Sequence, residues 1–159
     1  LLLAAACGLT GVQVSGEIKK EDYDSYREKI QELIPEGSRV LGNLNMEFFM
    51  EYDCLRDYRN LPYAVEGEGL EAYLERNQIE YIVYHQELDY LWEHRPYYNV
   101  IYGNVMFVEE LGEYCRENCQ RVGSFEDPWY GIRVAGLRGQ EAYGRVTVYR
   151  RASSSSSFK

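Results

Sequence analysis

With 159 residues the chain suits one domain of ordinary size, long enough to bury a real core. Its 17 Lys and Arg stand against 26 Asp and Glu, a formal charge of −9 that repels phosphate backbones and argues against nucleic acid as a partner. Tyrosine is the unusual component: 16 Tyr beside 5 Phe and 2 Trp supply many rings with a wet end, suited to half-buried sheets, to interfaces and to stacking on sugars.

The chain opens LLLAAACGLTGVQVSG and then turns charged at EIKKEDYD. As a helix, Leu1 to Val14 would rise about 21 Å, short of the roughly 30 Å hydrocarbon layer, so it cannot span a bilayer by itself. No initiating Met and basic segment precede it, as a signal peptide requires. LAAAC resembles a bacterial lipoprotein cleavage box with Cys7 as the lipidated residue, although Ala4 stands where a larger aliphatic is usual. Three readings stay open here: the last turns of a membrane span, a lipoprotein start, or a buried first element. Residues 1–15 are therefore set apart from a single domain over 16–151, and the Ser-rich 152–159 reads as a disordered tail.

From residue 16 helical and strand patterns alternate. Tyr23, Tyr26, Ile30, Leu33 and Ile34 fall at helical spacing until Pro35 and Gly37. SRVLGN reads as a strand. Asn43 or Asn45 then caps a predicted helix through MEFFMEYDC, with Phe48, Phe49 and Tyr52 directed to the core. DYRNLPYAV reads as an extended piece broken by Pro62, and GEGLEAYLERNQ as a helix with Leu70, Tyr73 and Leu74 inward. IEYIVYH is the clearest strand; apolar groups on both of its faces predict a central position. QELDYLWEHRP reads as a short helix or an ordered loop ended by Pro96, YYNVIYG as irregular, and VMFVEELGEYCRENC as a helix with Phe107, Val108, Leu111, Tyr114 and Cys115 along one stripe. Strands are predicted in RVGSF, WYGIRVAG and GRVTVYR. The pattern implies an α/β fold, a three-layer α/β/α sandwich with a mixed, mostly parallel sheet and an antiparallel C-terminal edge.

Chemistry-bearing motifs are scarce. LGNLN follows a strand, the right place for a phosphate loop, but holds one glycine where nucleotide signatures need several. GxSxG and HExxH motifs are absent. The cysteines Cys7, Cys54, Cys115 and Cys119 are too scattered for a disulfide framework. Cys115 and Cys119 share a helical face, but zinc would need two further ligands, so free thiols are expected, with neither metal nor cofactor. His85 ends the central strand, and in open α/β sheets ligands gather at such carboxyl ends. Asn43, Asn45, His85 and Glu87 are the candidate ligand-binding residues, against the alternative that the asparagines cap a helix and His85 bonds locally. His94 reads as surface. Between Tyr130 and Arg151 five arginines face the single Glu141. Arg145, Arg150 and Arg151 form a candidate basic edge toward anionic headgroups, or else a solvated strand surface paired with neighbouring acids.

The succession IPEGSRVLGNLNMEFF, DYRNL, YLERNQIEYIVYH, FEDPWYGIRVAG and GRVTVYRR resembles the soluble carboxyl-terminal domain of bacterial membrane glycosyltransferases of the C-type fold. These are relatives of the protein mannosyltransferases and of the aminoarabinose transferases of lipid A. The resemblance covers about residues 16 to 151 and lies in patterns of fold. It implies a small α/β domain on the extracytoplasmic side of the cell membrane, partnered by its own transmembrane helix bundle and near a lipid-linked sugar or its acceptor. It implies transfer from a polyprenyl-phosphate sugar by an acidic residue in a loop between membrane helices, to which no position here corresponds. On this reading the chain is non-catalytic and Leu1–Val14 ends the last membrane helix. The alternatives are a surface lipoprotein and a soluble α/β module binding a nucleotide or sugar.

Overall fold

The computed structural model of the chain describes residues 23–97, 102–130 and 143–152. The first helix, α1, runs Tyr23–Leu33 and buries Tyr26 and Ile30 completely, with Ile34 just beyond it. Pro35 cannot continue it, and Gly37 at φ +76° turns the chain into β1, Val40–Gly42. A single 3-10 turn at Leu44–Met46 and further turns lead to β2, Leu55–Asp57. A second 3-10 turn, Tyr58–Asn60, opens α2 at Leu61–Gly67, followed by α3 at Leu70–Arg76. Next come β3 at Tyr81–His85, α4 at Glu87–His94 and α5 at Phe107–Asn118. The last strands are β4 at Cys119–Glu126 and β5 at Arg145–Arg151.

The five strands form one sheet in the order β2-β1-β3-β5-β4. β1 pairs in parallel with β2 and β3, and β5 pairs antiparallel with both β3 and β4. Four strands thus share one direction and β5 opposes them, which is the mixed, mostly parallel sheet that the alternating pattern implies. β3 is central, as its two apolar faces predict. Its side chains alternate: Tyr81 and Val83 join the core under α1 with Val40, Val146 and Val148, while Ile82 joins the core under α2 to α5. These two cores on opposite faces make the three layers.

Two stretches depart from expectation. MEFFMEYDC is not a helix; Phe48 is 78 % exposed and Tyr52 95 %, while Met46 takes the buried place. Asn43 caps a three-residue 3-10 turn here, and Gly42, where a Cβ would lie 2.7 Å from Met46 Sδ, lets Met46 pack back against the strand the chain has just left. DYRNLPYAV is not an extended piece either, because Pro62 stands in the first turn of α2, where its missing N–H has no helical partner to lose. In the predicted strand WYGIRVAG, Trp129 and Tyr130 lie in a turn. Residues 131–136 of that strand, residues 98–101, Arg133, Arg138, the opening segment 1–15 and the tail 153–159 lie outside the described residues. No helix among the described residues is long and apolar enough to cross a membrane.

Candidate functional site at the carboxyl edge of the sheet

The connection leaving β1 packs Met46, Phe49 and Met50 into the core under α1, whereas the one leaving β3 packs Leu88, Leu91 and Phe107 on the opposite face. The chain therefore departs from adjacent parallel strands in opposite directions, and the carboxyl ends of β1 and β3 flank a topological switch point. Asn43 and His85 stand at those two ends. Of the seven buried polar or charged residues among the described ones, Asn43, Asp57, His85, Glu87 and Asp127 lie at this edge.

Each is positioned by a local bond. Asn43, in extended backbone directly after β1, accepts the Asn45 N–H at 3.0 Å and caps the 3-10 turn. Its Nδ2 is buried and has no hydrogen-bond partner among the described residues. Asn45 donates its amide to the Tyr130 carbonyl at 2.7 Å, and its own carbonyl accepts the Tyr23 hydroxyl. Asp57 at the end of β2 accepts both the Arg59 N–H and the Arg59 Nε at 2.9 Å. Asp127 after β4 accepts the Trp129 and Tyr130 N–H groups at 3.0 and 2.7 Å, and its own N–H donates to Gly144 O at 2.8 Å. Glu87 is 1 % exposed and accepts the Tyr102 hydroxyl at 3.0 Å.

His85, at the end of β3, is fully buried. Its Nδ1 lies 3.1 Å from Val83 O and its Nε2 2.8 Å from the Tyr26 hydroxyl. A carbonyl can only accept, so a neutral ring protonated at Nδ1 satisfies both contacts, donating to Val83 and accepting from Tyr26. Tyr58 donates to the same Val83 carbonyl from the other face of the sheet, its ring 6.2 Å from the imidazole. Burial drives the Tyr26 hydroxyl well above the ordinary phenol range, and the Asp127 and Glu87 carboxylates push it further. Tyr58 is likewise raised, first by burial. Both stay protonated as donors and cannot serve as bases near neutral pH.

All four sequence-predicted candidates, Asn43, Asn45, His85 and Glu87, stand at the carboxyl edge and are built into the fold's own bonds. Sequence reasoning missed Tyr26, Tyr58, Tyr102 and Asp127. Tyr26 looks like any inward position of a helix, and the only hint of Asp127 is its place before Pro128, a turn signal. A cleft of about 230 Å³ beside the edge is lined by Tyr84, Asp89, Arg116 and Arg145 among others. There Tyr84 donates to Asp89 at 2.5 Å, and burial raises the Asp89 carboxyl. The arginines of the candidate basic edge are divided. Arg145, at the start of β5, pairs with Glu126 at 2.8 Å. Arg150 and Arg151 are at its far end, where Arg150 is exposed and Arg151 donates to the Tyr114 hydroxyl and to Ile79 O, both at 2.9 Å. Cys54, Cys115 and Cys119 are free thiols. No cluster of three or more His, Cys, Asp or Glu side chains among the described residues could hold a metal ion.

No protein family, curated protein or solved structure matches the chain.

Proposed function

We propose that the chain is the non-catalytic extracytoplasmic domain of a membrane glycosyltransferase that moves a sugar from a polyprenyl-phosphate donor, where it covers the active site in the membrane or positions the acceptor. The observation that carries the non-catalytic part is the state of the carboxyl edge. At the switch point where an open α/β sheet would take a ligand, His85, Glu87, Asp57 and Asn45 are held by Tyr26, Tyr102, Arg59 and Tyr130. The loop after β1 adds nothing for a phosphate, since it opens a three-residue 3-10 turn in place of a helix whose N-terminus could face an anion. The glycosyltransferase part rests on the resemblance over residues 16 to 151.

The test reads the coding sequence upstream of Leu1. The expected result is a reading frame with many segments of about 20 apolar residues. A start codon and basic segment a few codons upstream would make the chain a lipoprotein and overturn the proposal. A thermal-shift series with nucleotides and sugar phosphates tests the non-catalytic claim separately. No stabilisation is expected, and a saturable rise with any of them would turn the edge back into a ligand site, with Asn43 Nδ2 as the first donor to examine.

A further inference from the structure

Among the described residues seven large apolar side chains are exposed, and five of them, Phe48, Tyr63, Tyr97, Met106 and Trp129, sit on connections at the carboxyl edge. Phe48 follows β1, Tyr63 lies in the first turn of α2 after β2, and Trp129 follows β4. Tyr97 and Met106 bracket the link from α4 to α5, which the Val105 N–H closes on Pro96 O at 3.0 Å. Tyr102, within that link, holds Glu87 just past β3 and packs its ring 6.1 Å from Tyr58 just past β2. On the other side the Tyr23 ring lies 6.2 Å from Phe48 and 5.2 Å from Tyr130, next to Trp129. Tyr63, Tyr97 and Phe48 are each at least 78 % exposed. Isolated exposed rings are ordinary, but a collection at one end of a domain marks a contact surface.

What covers it is indicated by the chain itself. Tyr23, the first residue of α1, is at this edge, bonded to the Asn45 carbonyl. Eight residues, Ser15 to Asp22, separate it from the apolar Leu1–Val14. Fully extended they reach about 27 Å, so the apolar run is tethered to this end of the domain. Tyr, Trp, Phe and Met are also the side chains that suit the headgroup layer, where a ring keeps its body in hydrocarbon and its polar tip in water. With a net charge of −9 the protein gains nothing from anionic lipid. We propose that the carboxyl edge is the face seated on the bilayer, with Phe48, Tyr63, Tyr97, Met106 and Trp129 set into a zwitterionic phospholipid interface. The proposal rests on the membrane reading above and adds to it the orientation of the domain.

The test uses the 159-residue chain carrying Trp92→Phe, so that Trp129 is the only indole, mixed with phosphatidylcholine vesicles whose acyl chains are brominated. Quenching of Trp129 by at least about two-fold relative to unbrominated vesicles is expected, unchanged by high salt, because the contact is apolar. Combining Phe48→Ser, Tyr63→Ser and Tyr97→Ser changes exposed positions only, so the urea midpoint should hold while most of the quenching is lost. Flotation with vesicles without Trp129 quenching would mean attachment through the first residues alone and would overturn the proposal. Failure to float would overturn it too, as would lipid-free dimerisation abolished by the triple variant, which would make a second copy the occupant. An upstream frame without membrane spans would remove the glycosyltransferase reading and leave the quenching result standing.

Discussion

The Tyr26–His85 pair makes the sharpest prediction. His85→Ala would be mild if the histidine were exposed at its strand end, but its side chain is fully buried and bridges α1 to β3 through the Tyr26 hydroxyl at 2.8 Å. Removing the ring deprives the buried Tyr26 hydroxyl of its hydrogen-bond partner, at a cost of about 1–3 kcal/mol. The cavity left by a buried ring adds about 1–2 kcal/mol more. Tyr26→Phe removes only the hydroxyl and should cost about 1–2 kcal/mol. Because the two side chains share this bond, the double variant should cost less than the sum of the singles by about 1 kcal/mol. Equilibrium urea unfolding of the four proteins, followed by Trp fluorescence and far-UV circular dichroism with m-values compared, measures all three quantities. A His85→Ala cost within about 0.5 kcal/mol of zero, or strict additivity, would refute the packing of α1 on the end of β3.

Val83→Asp should abolish folding, since it places an unpaired carboxylate in the middle of the central strand at a fully buried position; a folded Val83→Asp chain by circular dichroism would mean β3 is misplaced. Gly144→Ala should lower stability by about 1–3 kcal/mol, because its Cβ would lie 2.9 Å from Pro128 Cα and backbone cannot step aside as a side chain can; an unchanged urea midpoint would dismiss this contact. Cys119 should be alkylated by iodoacetamide about ten-fold faster than Cys115. The hydrogen bond from the Cys115 thiol, aided by the Arg151 guanidinium, lowers the Cys119 thiol, whereas that bond and burial raise Cys115. Peptide mapping after a short pulse reads the order. Asp89 carries a raised carboxyl, first through burial, with Tyr84 partly offsetting it. Its contribution is present in full below the ordinary aspartate value and is lost as pH rises through the raised one. Asp89→Asn should therefore flatten the fall in stability from acidic to neutral pH, and an unchanged slope in urea midpoints would contradict the burial.

How legible the fold is in the sequence depends on what decides each element. α1 and β3 are legible because their burial is periodic and their ends carry strong punctuation: Pro35 and Gly37 after α1, polar Gln86 after β3. The segment after β1 misleads because Phe48, Phe49 and Tyr52 satisfy a helical period as well as a buried helix would. In place of that helix the chain takes a 3-10 turn capped by Asn43 that returns Met46 to Gly42, an arrangement the hydrophobic period does not encode. Pro62 misleads for a different reason, since a proline at a helix start and a proline inside a strand look alike until the preceding turn is known. The candidate site shows the same division. The positions of Asn43, His85 and Glu87 at strand ends follow from the alternation of elements, but their burial does not. It is imposed by Tyr26, Tyr58 and Tyr102, which arrive from three other segments and are three among 16 Tyr.

Those three rings also explain why a sheet with this topology need not be a ligand-binding sheet. A switch point binds ligands because the connections diverge from it and leave a crevice lined by unsatisfied groups. Here Tyr26 reaches in from one face and Tyr58 from the other, and both bond to the last residues of β3, at His85 and at the Val83 carbonyl. The crevice is filled from within the chain, and a small molecule entering it would have to displace a buried hydroxyl that already has its partner. The outer side of the same edge carries the opposite chemistry, exposed rings and a methionine with no core to enter. On the proposed reading, an end whose buried polar groups are mostly held by the chain's own bonds and whose outside is apolar fits a large surface better than a small molecule. In the proposal the bilayer is that surface, because α1 begins at Tyr23 on the same end.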